Sequence, residues 1–516
     1  MELGVSHLTP RTVWSAAKAL ATANPSSVIS LSSAARSRVQ QSAQVVLHKA
    51  ETTSPVYGIN TGVGALRSSV IDTRHLSQFQ VNLLRSHACG VGEPLPRATV
   101  AAMWIHLLNS TALGHRGIRL ETVDSILALL NQGVLAQVPS RGSVGASGDL
   151  APSAHAALML IGEGSCTIPV DGGLRTLAAS DALLRLGMTP VELAPKEALS
   201  LINGTQLTTA YACQAWTEAD VLWRTATLAL ALSTLGFRTN PTMTRTEVLE
   251  SHHPATLYAG LRKQEWFQGS SLPYRNHEQD PYCFRCAPQV HGAIWKEIEQ
   301  CEEWVTEELG AATDNPIILP ETKEVVHGGN FHAIYPARVL DRLATAMTQL
   351  ASISERRINL GMDSRKTGLP DFLTPESGLN SGLMMTQTTA AALVSECKAL
   401  SFPASVDTIP TNCDQEDHVS MGPIAGQKAV QICRNVRDVL AIEILAAFQA
   451  IHLRGHRSLP PRLQEVYKIL RGHITPIEYD RIFSDDIHRI SQLIEDEVLL
   501  KDFTLDGERH ERKPVQ

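Results

Sequence analysis

The chain has 516 residues, 43% of them hydrophobic, enough to bury a sizeable core. Its 45 basic and 52 acidic residues are mixed along the chain, for a net charge of -7 at pH 7, so there is no basic stripe to neutralise a phosphate backbone and nucleic acid is not an expected partner. No apolar run reaches the roughly 18 to 20 residues that span a bilayer, because the best candidate, Val439 to Ile451, is interrupted by Glu443, and a soluble protein without a membrane partner is expected.

In chain order, the opening MELGVSHLTPRTVW lacks a basic start, an apolar stretch and a small-residue cleavage site, so the cytoplasm is the expected compartment. In YGINTGVG, Gly58, Gly62 and Gly64 free the backbone to form a mobile loop that carries one phenol, Tyr57. Helical patterns follow over Ala98 to Leu113 and Leu120 to Leu130, then a glycine-rich segment, SRGSVGASGDLAP, with a helix expected to start near Asp149 and Pro152. From Glu197 to about Phe237 the spacing of Leu201, Ala212, Trp216, Ala219 and Trp223 predicts one long helix. Further helices are predicted over Val290 to Glu308, Ala337 to Leu360, Leu379 to Leu400 and Gly426 to Leu453, the last becoming apolar on most faces beyond Ile442 and therefore buried. Alternating strands are scarce.

The expected fold class is thus mainly α, a long-helix bundle core over residues 115–516 with a smaller mixed N-terminal domain over residues 1–114. The Gly- and Pro-rich segments between helices are where chemistry is expected. Nine cysteines, an odd count at irregular spacing, suit reduced thiols, and the lone C-x-x-C of Cys283 and Cys286 has no second ligand pair, so no metal site is expected.

In the segment SRGSVGASGDLAPSAH, Gly148 has no Cβ and lets its backbone nitrogen approach the carbonyl carbon of Ala146, while Ser147 carries a β-hydroxyl that can leave as water. Cyclisation with dehydration would give a methylidene-imidazolone, an electrophile built from the chain itself. The bland alternative is a glycine-rich loop that cradles an anion ahead of a helix.

SVGASGDLAPSAH resembles the signature of the aromatic amino-acid ammonia-lyases, and among them those acting on histidine. The resemblance extends through YGINTGVG, LLRSHACGVGEPL, KEALSLINGTQ, QDPYCFRCAPQVHG, ATDNP, GGNFHA, ISERRI, GLNSG and SVDTIPTNCDQEDHVSMG, in order over most of residues 54–422. It implies a fold like that of the fumarase group. It also implies a methylidene-imidazolone formed autocatalytically from Ala146, Ser147 and Gly148 without metal or diffusible cofactor, and a homotetramer whose active sites are shared between chains. The implied reaction is elimination of ammonia from L-histidine to give trans-urocanate, the first step of histidine degradation. The alternatives are a tyrosine or phenylalanine ammonia-lyase, an aminomutase with the same group and, more distantly, an inactive helical scaffold.

The same resemblance assigns roles that the residues alone leave open. Tyr57 becomes the base for the β-proton, with Tyr282 and Glu416 as further candidates, and a phenol in that role needs its pKa lowered. Arg285 becomes the clamp on the substrate carboxylate, where a guanidinium can bind in a bidentate manner, with Gln279 beside it. Asn203 is placed by the substrate amine and the prosthetic group, and Asp149 and Phe331 in that group's surroundings, Phe331 being expected to be buried. Ser86 and His87 bear on selectivity, since an imidazole needs partners for its ring nitrogens and Glu416 with His87 can supply an acceptor and a donor. Two departures from the family pattern stand out: Ile334 where a carboxylate is expected after NFHA, and Asn412, Cys413 and Asp414 in the TNCDQEDH run.

Overall fold

A computed structural model of the chain describes residues 1–52, 54–267, 279–455 and 459–501. They fall into two compact units. The first comprises Met1–Thr217, Cys301–Asp341 and Pro403–Gln427, and the second Glu218–Gln300, Arg342–Phe402 and Lys428–Gln516. The expected boundary at residue 114 lies inside the first unit, where strand Val91–Pro94 pairs antiparallel with Pro139–Arg141 across it.

The periodic patterns became helices with ends moved by a few residues: Arg97–Ala112, Leu120–Asn131, Ala287–Leu309, Ile334–Gly361, Met384–Leu400 and Gly422–Leu453. The predicted helix from Glu197 to Phe237 is instead two, Glu197–Ile202 and Gln206–Phe237. Asn203 leaves helical geometry at φ -81 and ψ 130, and Gly204 takes φ 133, which only glycine adopts freely. A Cβ on Gly204 would sit 2.5 Å from the Thr313 carbonyl oxygen, so the break is packed in place. Strands are short, two to six residues, and the longest pair is the hairpin of Ser165–Val170 with Gly173–Ala178.

In the first unit, Val45, Val46 and Ala50 of helix Ser33–Ala50 form an apolar cluster with Ile59, Leu76 and Ile318, and Val56 and Ile71 pack against it. Burying each valine, leucine or isoleucine of this cluster contributes roughly 1.5–3 kcal/mol. Val56 and Ile59 flank Tyr57, so this cluster anchors the chain on both sides of the phenol.

In the second unit, Ile442, Leu445 and Phe448 have no exposed surface, as the apolar pattern predicted. Glu443, which interrupts that pattern, is equally buried. Its carboxylate accepts from Arg357 Nε at 2.5 Å and Nη2 at 2.8 Å, from Ser354 Oγ at 2.6 Å and from Ser233 Oγ at 2.9 Å. Four donors on one carboxylate are what make that burial tolerable. No helix among the described residues is long and apolar enough to cross a membrane.

Candidate active site

Ala146, Ser147 and Gly148 form a turn between strand Pro139–Arg141 and helix Leu150–Leu158. Ser147 takes φ 48 and Gly148 φ 81, so the tripeptide is bent through the left-handed region. Gly148 bridges to Gly204, and the Asp149 N–H donates to the Gly204 carbonyl at 2.8 Å. A Cβ at Gly148 would collide with the Gly204 backbone, so the position requires glycine for both space and φ.

Asp149 has no exposed surface, and its carboxylate does not cap the helix Leu150–Leu158 that starts beside it. It accepts instead from the Thr208 N–H at 2.8 Å, the Thr208 hydroxyl at 3.1 Å and the Ser143 hydroxyl at 3.4 Å, capping the start of helix Gln206–Phe237. Burial pushes this carboxyl up to about 6, against the opposing bonds from Thr208.

Asn203 is 2% exposed, donates from Nδ2 to the Asn315 carbonyl at 3.1 Å, and has a buried Oδ1 without a protein partner. Below it, Arg116 donates to the carbonyls of Ser200 at 2.6 Å and Asn203 at 2.9 Å. Lys196 pairs with Asp314 at 2.6 Å, both side chains fully buried. Removing one member of such a pair leaves the other charge uncompensated. Lys196→Met is therefore expected to destabilise the fold by about 3–5 kcal/mol, read from the denaturant midpoint. A loss under about 1 kcal/mol would show that Asp314 finds other partners.

Ser147 Oγ donates to Glu416 Oε1 at 2.7 Å. The same carboxylate accepts from the Thr411 hydroxyl at 2.9 Å and from Asn412 Nδ2 at 3.2 Å. The Tyr57 phenol oxygen accepts from the Gly64 N–H at 3.2 Å, and its ring meets His327 edge-on with centroids 5.4 Å apart. Burial holds this phenol above its ordinary value; the Gly64 N–H opposes the rise, Glu416 adds to it, and Arg67 opposes it. A base at this position therefore needs positive charge beyond that of Arg67.

These residues line one cavity of about 640 Å³, in which Tyr57, Ala146, Ser147, Phe331 and Glu416 meet. Phe331 is half-buried, not buried as expected, because its ring forms part of the cavity wall. Arg67, His327, His332 and His418 join the lining although the sequence reading did not single them out. The available signal was position, since His332 and His418 lie inside motifs that were noted and Arg67 and His327 within three residues of one. His332 Nε2 lies 3.2 Å from the His418 carbonyl, and the two rings stack.

His87 ends helix Leu76–His87, half-buried, with Nδ1 2.9 Å from the Leu83 carbonyl and 3.1 Å from Ser86 Oγ. A carbonyl can only accept, so Nδ1 carries the proton and Nε2 is left as an acceptor. A donor at Nε2 would require imidazolium, which burial disfavours, against the opposing effects of the Leu83 carbonyl and Glu416. Ser86 is exposed and donates to its own helix at the Leu83 carbonyl, 3.1 Å. Ile334 is the first residue of helix Ile334–Gly361, half-buried and bringing no charge.

Gln279, Tyr282 and Arg285 belong to the second unit, whereas the cavity lining comes from the first. Tyr282 is 70% exposed, with the Arg285 guanidinium 4.7 Å over its ring, and Arg285 Nε donates to the Asp280 carbonyl at 3.3 Å. Gln279 is exposed.

Residues 13–472 match the family model described as aromatic amino acid lyase. The chain is 44% identical to histidine ammonia-lyase from Deinococcus radiodurans over 91% of this chain and 90% of that protein. The crystal structure of histidine ammonia-lyase from Trypanosoma cruzi superposes with a TM-score of 0.91 at 36% identity, covering 100% of this chain and 98% of that one. The phenylalanine aminomutase of Pantoea agglomerans gives 0.89 at 27% identity, with 96% and 98% covered.

Proposed function

Because the chain belongs to the aromatic amino acid lyase family, we propose that it eliminates ammonia from L-histidine to give trans-urocanate, the first step of histidine degradation. The observation that carries the reaction is the bent Ala146-Ser147-Gly148 turn, with the Ser147 hydroxyl bonded to Glu416 in the cavity that also holds Tyr57. Identity of 44% to a histidine ammonia-lyase over nine-tenths of both chains supports histidine as the substrate.

The residues fit a methylidene-imidazolone. Gly148 has the only side chain that its contact with Gly204 permits, and Asn203 holds an unused buried acceptor three residues before the start of helix Gln206–Phe237. Attack of the Gly148 nitrogen on the Ala146 carbonyl carbon, with loss of that oxygen as water, closes the ring, and loss of the Ser147 hydroxyl with its α-proton releases a second water. The group so formed supplies an electron-poor methylidene carbon that assists departure of the amine.

Around it the protein's own side chains bind and move protons. Glu416 and the Nε2 of His87 are two acceptors, a set that matches the two N–H donors of a protonated imidazole ring, of which a neutral imidazole pairs one and a phenyl ring neither. Tyr57 is the proposed acceptor of the β-proton. Arg285 is the proposed clamp on the α-carboxylate, with Tyr282 and Gln279 beside it. Since Tyr282 and Gln279 are exposed on their own chain, we take these three to serve a neighbouring copy in a homotetramer with shared sites.

The test is turnover of L-histidine, L-tyrosine and L-phenylalanine in parallel, followed by the ultraviolet absorbance of each acrylate and by released ammonia. Urocanate from histidine alone is the expected result. Cinnamate or coumarate would transfer the assignment to a phenylalanine or tyrosine lyase, and a β-amino acid to an aminomutase. His87→Phe is expected to lower kcat/KM for histidine by at least about tenfold, the effect of one lost buried hydrogen bond. An unchanged preference removes His87 from the selectivity of the site.

A further inference from the structure

The run Thr411 to Glu416 contains one of the two departures noted in the sequence, Asn412 to Asp414, and its geometry is unusual. Asn412, Cys413 and Asp414 take φ of 54, 54 and 60, three successive non-glycine residues in the left-handed region. The loop closes on itself: Thr411 and Glu416 form an antiparallel bridge, and the Gln415 N–H donates to the Asn412 carbonyl at 3.2 Å. Asparagine tolerates this region better than other side chains apart from glycine.

The tight loop turns the Asn412 amide towards the loop that carries Tyr57. Asn412 Oδ1 accepts from the Ala65 N–H at 3.3 Å, and Nδ2 donates to Glu416 Oε1 at 3.2 Å. The two bonds agree on one orientation of the amide, because a backbone N–H demands the oxygen and a carboxylate demands the nitrogen. Gly64 is seated against this amide so closely that a Cβ there would collide with Nδ2. The Gly64 N–H holds the Tyr57 phenol, and Glu416 holds the Ser147 hydroxyl. Among the described residues, one side-chain amide thus joins the backbone holding Tyr57 to the carboxylate facing the Ala-Ser-Gly turn.

We propose that Asn412 is a positioning residue: its amide latches the Tyr57 loop to Glu416, so that the phenol and the carboxylate are held in register with each other. The inference rests on the reading of Tyr57 and Glu416 as reaction-site residues. Asn412 touches neither substrate nor the prosthetic group in this role.

Two substitutions test it. Asn412→Ala removes both bonds, and the expected result is a kcat lower by about tenfold with KM within about threefold. Hydrogen exchange in the peptide covering Gly64 to Leu66 is expected to quicken by about tenfold, since the Ala65 N–H loses its acceptor. Asn412→Asp keeps an acceptor for Ala65 but sets a second carboxylate against Glu416, so slow exchange is retained while kcat falls. Unchanged exchange in Asn412→Ala, or a kcat within twofold of the parent in both variants, overturns the latch. A parent enzyme that turns over none of the three amino acids would sink the proposed reaction, whereas exchange reads the latch without turnover, so the two failures are distinguishable.

Discussion

Ser147→Ala is expected to block the second loss of water, so that the variant weighs no more than about 18 Da less than its own sequence, and to lower kcat with L-histidine by at least about a thousandfold, a barrier increase of about 4 kcal/mol. The parent chain should weigh less than its sequence by two waters, about 36 Da, from ring closure and dehydration. The variant keeps the methylene-sized volume at position 147 and the φ of 48 that the turn imposes, so it retains the fold. What it lacks is the hydroxyl that donates to Glu416 and that must leave as water. Intact-mass measurement and initial rates on the same preparation check both halves. An active parent protein at full unmodified mass would rule out the self-made group, and a variant within tenfold of the parent would remove Ser147 from the chemistry.

Tyr57→Phe is expected to lower kcat by about 10²- to 10⁴-fold, the usual contribution of a positioned general base, with KM within about threefold. Val56 and Ile59 anchor the chain on either side of Tyr57 in the apolar cluster and His327 meets the ring at its edge, so loss of the oxygen leaves the loop in place. The phenol is held above its ordinary value by burial, and a base acts in its deprotonated form. The rate of the parent enzyme should therefore climb as pH rises through the alkaline range, and the climb should vanish in the variant. A loss under tenfold, with the climb intact, would transfer the proton to another acceptor such as Glu416.

These two predictions draw on residues that the sequence identified by motif, but the contacts that make them specific were not visible there. YGINTGVG identified a phenol on a glycine-rich loop. Gly64 donates to this phenol from within the same loop, whereas Asn412 reaches that loop through its bond to Ala65, 347 residues away in the chain. Arg67, His327, His332 and His418 entered the cavity for the same reason, since loops remote in sequence meet there. The expectation that His87 would offer a donor failed at its tautomer, because the neighbouring Leu83 carbonyl claims Nδ1.

By itself the sequence determined most of the helices, the Ala146-Ser147-Gly148 tripeptide and the class of reaction. Helical periodicity is local, legible over ten to thirty residues, and the tripeptide's chemistry resides in the three residue types themselves. Only the tertiary structure decided how polar groups are paired. It split the helix at Asn203 and Gly204 to seat Gly148, turned Asp149 to cap a helix start 59 residues away, and set Glu443 against Arg357 at a separation of 86 residues. A buried charge or amide must be satisfied by whatever the fold brings to it, and no pattern of period 3.6 records which distant residue that will be.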